Sequence, residues 1–536
     1  MRHATLFCLI LLCAISGFAQ TAPAGSSSTA AADTAKANGD HDAAIKLYDE
    51  VLAREPNNVH ALVQSALLLS WKGQHAEAVN RYDRALAIDP NNAMARLERA
   101  KVLSWNRQFP DALKAFREVV GSDPNNAEAQ MGVARVLSWS GDLLAARAEY
   151  LRILERNPGD TEALVGVAQT YAWSGNPTTA REWYQKALDV KPDLREAIVG
   201  MSYVDLAEGD VYGAFRRTSQ LEGRFPNDRD VLELRTAVHR ARAPFFRAAY
   251  ERSDDTEDNE MNLWGLEGVF VLPRRAELTL GFSNYEIGDA QQRTGQIQNP
   301  FVSLILRPGA RQRLVLRPGI EMMEKTDGSS ETEFAGRVSY AFGIGSRFET
   351  SLDAERRAFR ATTRSLDAGV ILDSYSINAL FRPHPNLRFT GSAALWNFSD
   401  TNERQSFDGS AVYQWPIRSL SVSTGYAFHY FDYEKDLDNG YFDPEGYEAH
   451  AGTLFMHKEF KSVYASAFVE AGVQSFHLQV VDADRDPYLT YAGTLGFRLT
   501  PLLSLELSGT KSDSSSQSAS GFESTYYAAR IRVHTR

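Results

Sequence analysis

Hydrophobic positions follow two different rhythms along the chain. Up to about residue 243 the leucines, valines and alanines recur at the spacing of a helix face, which predicts helices. After "RTAVHRARAPFF" (235 to 246) apolar and polar residues alternate instead. In "AELTLGFSNY" (276 to 285), Ala276, Leu278, Leu280 and Phe282 share one face while Glu277, Thr279, Gly281 and Ser283 share the other, a period of two that predicts strand. The chain has 536 residues, too many for one ordinary core, so the change of rhythm is read as a boundary between domains at 20–243 and 244–536.

Within the helical part the pattern repeats every 34 residues. Tryptophans stand at Trp71, Trp105, Trp139 and Trp173, in "LLSWKGQ", "VLSWNRQ", "VLSWSGD" and "TYAWSGN". Prolines keep the same period at Pro56, Pro90, Pro124, Pro158, Pro192 and Pro226, and glycines at Gly39, Gly73, Gly141, Gly175 and Gly209, with Arg107 as the exception. Alanines recur at Ala44, Ala78, Ala112, Ala146, Ala180 and Ala214, followed four residues on by Tyr48, Tyr82, Phe116, Tyr150 and Tyr184, whereas Thr218 takes the last aromatic place. Small residues let paired helices approach, the aromatic fills the space one turn later, glycine permits the tight turn and proline ends the second helix. From about residue 25 to 228 this resembles the tetratricopeptide repeat, a stack of helix pairs that serves as a binding scaffold. The four tryptophans are expected to pack under the inter-helix turns; the functional alternative is a ladder of rings for stacking on sugars.

In the second half, alternating segments predict sixteen strands, starting near residues 245, 260, 275, 296, 311, 331, 346, 370, 387, 405, 419, 446, 463, 488, 502 and 523. Short connections with turn residues ("PRR", "PGA", "GIG", "PHPN", "PIRS", "KS", "PLL") alternate with longer polar ones ("DDTEDNE", "DLDNGYFDPEG", "DADRDP", "SDSSSQSASG"). An even strand count with short turns on one side and long loops on the other is the pattern of an antiparallel transmembrane β-barrel, with the turns periplasmic. The predicted fold is therefore α + β multidomain, a tetratricopeptide α-solenoid followed by a barrel, with the solenoid on the turn side.

The chain opens with "MRHATLFCLILLCAISGFAQ", read as an export signal over residues 1–19: a basic start at Arg2 and His3, an apolar core from Leu6 to Ile15 and the small-residue site Gly17-Phe18-Ala19. Both cysteines, Cys8 and Cys13, leave with it, so the mature chain is expected to hold neither disulfides nor cysteine metal sites. The net charge of −11 argues against a nucleic-acid partner bound on a broad basic surface. No later stretch approaches 18 consecutive apolar residues, which leaves strands as the means of crossing a bilayer.

Alternation also assigns faces. Val463, Ala465, Ala467, Val469, Ala471 and Val473 are expected to face lipid, with Tyr464, Ser466, Glu470 and Gln474 inward. Arg347, Glu349, Ser351, Asp353, Glu355 and Arg357 are expected in the lumen, because a charge on the lipid face costs about 2 to 4 kcal/mol near the midplane. They are read as ordinary lining of an aqueous pore. Asp353 and Glu355 are also the candidate acid/base pair, but such spacing is common in strands. No phosphate loop, H-E-x-x-H pair or G-x-S-x-G elbow is present, so no enzyme, metal or cofactor is predicted.

The combination of signal, repeats and barrel resembles the outer-membrane exporters of bacterial exopolysaccharides, such as those for cellulose and poly-N-acetylglucosamine, and the related YaiO-type barrels. The loop "NGYFDPEGY" (439 to 447) is similar to a Gly-Tyr-aromatic-x-Pro loop of these barrels through Gly440, Tyr441, Phe442 and Pro444, with Asp443 where serine is frequent. The chain departs from them in having fewer repeats and in ending "ARIRVHTR", without a terminal aromatic. The resemblance implies a polysaccharide-conducting channel whose Tyr441-Phe442 loop gates a lumen suited to a neutral or weakly charged chain. It also implies partners: the polymer, periplasmic or inner-membrane glycan-synthesis proteins and outer-membrane lipid. The other reading is a structural or adhesive surface protein whose barrel only anchors the repeats.

Overall fold

The computed structural model describes residues 28–535 except 310, 346, 385, 416, 418–419, 438–439, 478–481 and 515–522. Residues 1–19, expected to be an export signal and holding Cys8 and Cys13, lie outside the described residues.

Thirteen helices, from Ala30–Ala37 to Arg229–Arg242, form the tetratricopeptide-repeat region. Their starts are set by short polar side chains. Asp40, Asn58, Asn92, Asn126, Asp142, Asp160 and Asn176 each accept a bond from the backbone N–H three residues on, satisfying a donor that has no partner within the helix. The turns between helices use left-handed backbone at Gly39, Gly73, Gly141, Gly175 and Gly209, and Arg107 adopts it too at φ 62°. The periodic alanines and aromatics are the core: Ala44, Ala78, Ala112, Ala146 and Ala180 are buried, as are Tyr48, Tyr82, Phe116, Tyr150 and Tyr184. In the later repeats each ring lies over a glycine, so that a Cβ built on Gly166 would sit 2.5 Å from the Tyr150 ring and one on Gly200 would sit 2.2 Å from Tyr184. Thr218, which replaces the last aromatic, is buried and donates its hydroxyl to the Ala214 carbonyl.

The second half is a closed antiparallel barrel of sixteen strands. They are β1 Phe245–Asp255, β2 Glu260–Leu272, β3 Ala276–Gly288, β4 Thr294–Leu306, β5 Gln312–Glu324, β6 Ser330–Ile344, β7 Phe348–Ala358, β8 Ile371–His384, β9 Leu387–Phe398, β10 Glu403–Trp415, β11 Ser421–Tyr433, β12 Glu445–Glu459, β13 Val463–His477, β14 Asp482–Arg498, β15 Leu503–Ser512 and β16 Ser524–His534. The circle closes where β1 pairs β16, Phe245 opposite His534 and Asp255 opposite Ser524. Closure leaves no unpaired edge, which is the condition for strands in lipid. Exposed apolar side chains such as Leu266, Leu280, Val302, Ile320, Val338, Leu352, Ile377, Leu395, Leu495 and Ile531 share the outward parity of their strands. No helix among the described residues is long and apolar enough to cross a membrane.

Two connections differ from expectation. "DADRDP" is strand, not loop, since β14 begins at Asp482 and pairs Ala483 with Phe476 across a register shift. "DDTEDNE" is a tight hairpin in which Asp255 accepts the N–H groups of Glu257 and Asn259 while Asp258 takes positive φ. The longer connections are thus 359–370, 434–444 and 513–523. The first holds a short helix, Thr363–Asp367, that alternation did not reveal; its cap is reciprocal, Thr362 and Ser365 each bonding the other's backbone N–H.

The compact units do not divide where helices give way to strands. One comprises residues up to Val204 together with Gln220–Leu234; the other comprises Asp205–Ser219 and Arg235 onward. Within the second unit, Arg275 in the β2–β3 turn reaches Glu208 at 3.4 Å and Asp210 at 3.7 Å, and Tyr212 donates to the Val271 carbonyl at 3.5 Å. Segment 205–219 is therefore held on the short-turn end of the barrel.

Candidate functional site

Strand β7 places Glu349, Ser351, Asp353, Glu355 and Arg357 on the face opposite Leu352, which is 51% exposed. Arg347 falls outside the strand, exposed in the preceding turn. The row is knit to its neighbours rather than standing free. Arg382 of β8 bonds Glu349 at 2.9 Å, and Asp353 accepts from Arg337 of β6 at 2.7 Å, Ser351 at 2.9 Å and Asn378 at 3.3 Å. Arg357 donates to the Ala358 carbonyl at 3.2 Å. Asp353 and Glu355 do not form an isolated acid/base pair, because Asp353 is already engaged by three donors.

Glu470 of β13 is buried and belongs to a different wall. It accepts from the Tyr488 hydroxyl at 3.0 Å and lies 3.7 Å from His429 Nε2, while His429 Nδ1 meets Asp408 at 2.8 Å. The chain Asp408, His429, Glu470, Tyr488 runs across β10, β11, β13 and β14. Sequence reasoning named only Glu470; Asp408, His429 and Tyr488 each have the inward parity of their strand, but only pairing across strands shows that they meet. Among the described residues no group of His, Cys, Asp and Glu is arranged to hold a metal ion.

At the end with the longer loops, segments 359–370 and 440–444 pack among inward-facing aromatics. Tyr441 is buried against Phe398, with ring centroids 5.4 Å apart and nearly parallel, and edge-on to Phe359 at 4.9 Å. Phe442 meets Phe476 edge-on at 5.2 Å, and the Pro444 carbonyl accepts from Tyr433 N–H. Gly440 has φ 85°, its carbonyl accepts from Thr362, and a Cβ there would lie 2.6 Å from Arg364. Both its conformation and the close approach of the two segments therefore demand glycine. Beneath the loop, buried Asn402 acts as a clasp, donating to Asp443 at 3.1 Å and to the Lys435 carbonyl at 2.8 Å while accepting the Lys435 N–H. Asp443 is only 2% exposed, and burial pushes its carboxyl up to about 7; Asp436 and Asp400 add to this, while the Leu437 N–H bond opposes it.

The four tryptophans, expected to pack under the inter-helix turns, are partly exposed. Trp71, Trp105, Trp139 and Trp173 are 54%, 44%, 37% and 48% exposed. They stand at or next to the ends of helices Val59–Trp71, Ala93–Trp105, Ala127–Ser140 and Thr161–Trp173. Trp71 and Trp105 lean on His41 and His75, at 5.3 and 6.2 Å between ring centroids.

A family model described as tetratricopeptide repeat matches residues 35–101, 71–136 and 106–170 in overlapping registers. No curated protein matches the chain. Among solved structures, one titled bacterial polysaccharide outer membrane secretin is similar at 12% identity over 55% of this chain and 99% of its own, with a TM-score of 0.46. YrrB, titled a TPR protein with an unusual peptide-binding site, is 24% identical over 31% of this chain and 86% of its own at a TM-score of 0.29. A tetratricopeptide repeat protein from Parabacteroides merdae is 18% identical over 39% and 82%, at 0.36.

Proposed function

We propose that this chain is an outer-membrane channel with a periplasmic tetratricopeptide scaffold, and that it exports a bacterial exopolysaccharide. The observation that carries this reading is the joining, in one chain, of a repeat stack bearing four exposed tryptophans to a closed sixteen-strand barrel whose inward faces carry charge and whose outward faces are apolar. Exposed indole faces suit the weakly polar faces of sugar rings, and a charged lumen holds the water along which a hydrophilic chain slides. Gly440, Tyr441, Phe442 and Pro444 serve as the gate, a reading supported by the packing of Tyr441 and Phe442 with Phe398, Phe431, Tyr447 and Phe476. Synthesis proteins on the periplasmic side would deliver the chain to the repeats.

The test has two arms on the full chain. Deleting the gene is expected to trap polymer in the periplasm, and the purified protein in a planar bilayer is expected to conduct ions, with open probability raised by Tyr441→Ala and Phe442→Ala. A protein silent at all voltages, with surface polysaccharide unchanged on deletion, would instead favour an anchor for the repeats.

A further inference from the structure

A cavity of about 390 Å³ opens on the inner wall of the barrel between β2 and β7 and the residues that follow β7. That volume falls within the range of about 300 to 1,000 Å³ usual for small-molecule sites. Its lining includes Arg317 of β5, Arg337 of β6, Arg356 and Arg357 of β7 and Arg360 just beyond. Arg356 bonds Asp373 of β8 at 2.6 Å, and two of the other four are spoken for. Arg337 bonds Asp353 at 2.7 Å, and Arg360 pairs with Glu321, a side chain 1% exposed that also accepts the Ala358 N–H.

The other two form no ion pair. Among the described residues Arg317 makes neither a hydrogen bond nor an ion pair; its guanidinium lies flat on Phe301, 3.6 Å from the ring centroid. Arg357 has only the Ala358 carbonyl. Glu355 lines the same cavity without an ion pair to either. With Arg356 paired to Asp373, the other four guanidiniums stand against Glu321 and Glu355 of the lining and Asp353, the partner of Arg337, leaving one positive charge over. A half-buried cation without an ion-pair partner is stabilised when an anion completes it. The ring of Phe301 under Arg317 helps here, holding that guanidinium without using its N–H groups.

We propose that this cavity is a lumenal subsite for a carboxylate-bearing sugar unit, of the uronate class, on the polymer in transit. The proposal rests on the export reading and names its substrate class: an acidic polysaccharide rather than a neutral glucan. A planar carboxylate can take two parallel N–H bonds from one guanidinium, which a sugar hydroxyl cannot. Inorganic phosphate offers similar oxyanion chemistry, so the test must separate the two.

The full chain in lipid nanodiscs is titrated with a short oligogalacturonate, a malto-oligosaccharide of equal length and inorganic phosphate. The acidic oligomer is expected to bind at least about tenfold more tightly than either of the others, as a charge-assisted bond implies. R317Q and R357Q should each weaken it about tenfold and leave the neutral oligomer unmoved, and E355Q should tighten it. Equal binding of acidic and neutral oligomers, or phosphate binding as well as the oligomer, overturns the sugar assignment. Heat-modifiable migration in gels reports whether each variant's barrel is folded; if the arginine variants are not, E355Q decides, and its failure to tighten binding counts against the subsite. Acid-selective binding together with unchanged surface polysaccharide on gene deletion would sink the export reading while leaving the anion chemistry in place.

Discussion

At the scale of single residues, Arg107 shows what a broken period means. Every other described turn at its place has glycine, and Arg107 takes the same left-handed backbone at φ 62°. That conformation costs an L-residue roughly 1 to 2 kcal/mol, so Arg107→Gly is expected to stabilise the repeats by about 1 kcal/mol, less than the full strain because glycine's unfolded state is freer. Urea unfolding of residues 20–243 measures it, and a lower midpoint would refute the strain argument. Asp443 supplies a pH prediction. Its carboxyl titrates near 7 in the docked loop against about 3.9 for a free aspartate, so the docked state holds the extra proton between those values. Docking is then fully favoured below pH 4, weakens as pH rises and has lost this contribution above 7. The groups facing it are Asp436, Asp400, Asn402 and the Leu437 N–H, none of which supplies a cation. Open probability in a bilayer should therefore rise from pH 5 to pH 8, and Asp443→Asn should hold it low and flat; a variant as pH-dependent as the parent would remove Asp443 as the cause.

At the scale of elements, strands were far more legible than their surroundings. Alternation located most strand starts within two residues because each barrel strand has one apolar and one polar side, and no tertiary contact can reverse that in a closed barrel. It missed the start of β14, where "DADRDP" carries turn residues but is held by pairing across a register shift, and it missed helix Thr363–Asp367, which exists through its cap and through Leu366 packing on Ile287, Ile297 and Met323. Parity also gives a side but not a neighbour: Arg317, Arg337 and Arg357 are far apart in sequence and come together only through the β5–β6–β7 register. The tryptophans show the opposite limit. Their period was plain, but a repeat can place a ring on its surface as regularly as in its core. Repeat packing itself makes a sharp prediction at Gly166, where the Tyr150 ring leaves no room for a methyl group. Gly166→Ala should cost about 1 to 3 kcal/mol by overpacking, outweighing the usual gain of alanine in a helix. An unchanged or higher midpoint would mean that the Tyr150 ring moves aside freely.

For the whole molecule, the sequence boundary at 243 and the compact-unit boundary make different predictions about where the chain can be cut. Helices continue to Arg242, but Asp205–Ser219 and Arg235 onward belong with the barrel, through Arg275 to Glu208 and Asp210 and Tyr212 to the Val271 carbonyl. Stacked repeats contact chiefly their neighbours, so a solenoid survives the loss of its last units. Residues 20–204 and 20–243 should both be soluble with a helical circular-dichroism spectrum, and the longer piece should be cleaved by trypsin preferentially within 205–242, where its barrel partners are absent. A barrel beginning at residue 205 should refold into a heat-modifiable band in higher yield than one beginning at 244, because only the first keeps the Glu208 and Asp210 contacts of Arg275. In the full chain, Arg275→Glu sets like charges together there and should expose 205–219 to trypsin without unfolding the barrel. If 20–243 resists trypsin throughout and both barrels refold alike, the segment owes its order to the repeats and the boundary lies at the change of rhythm after all.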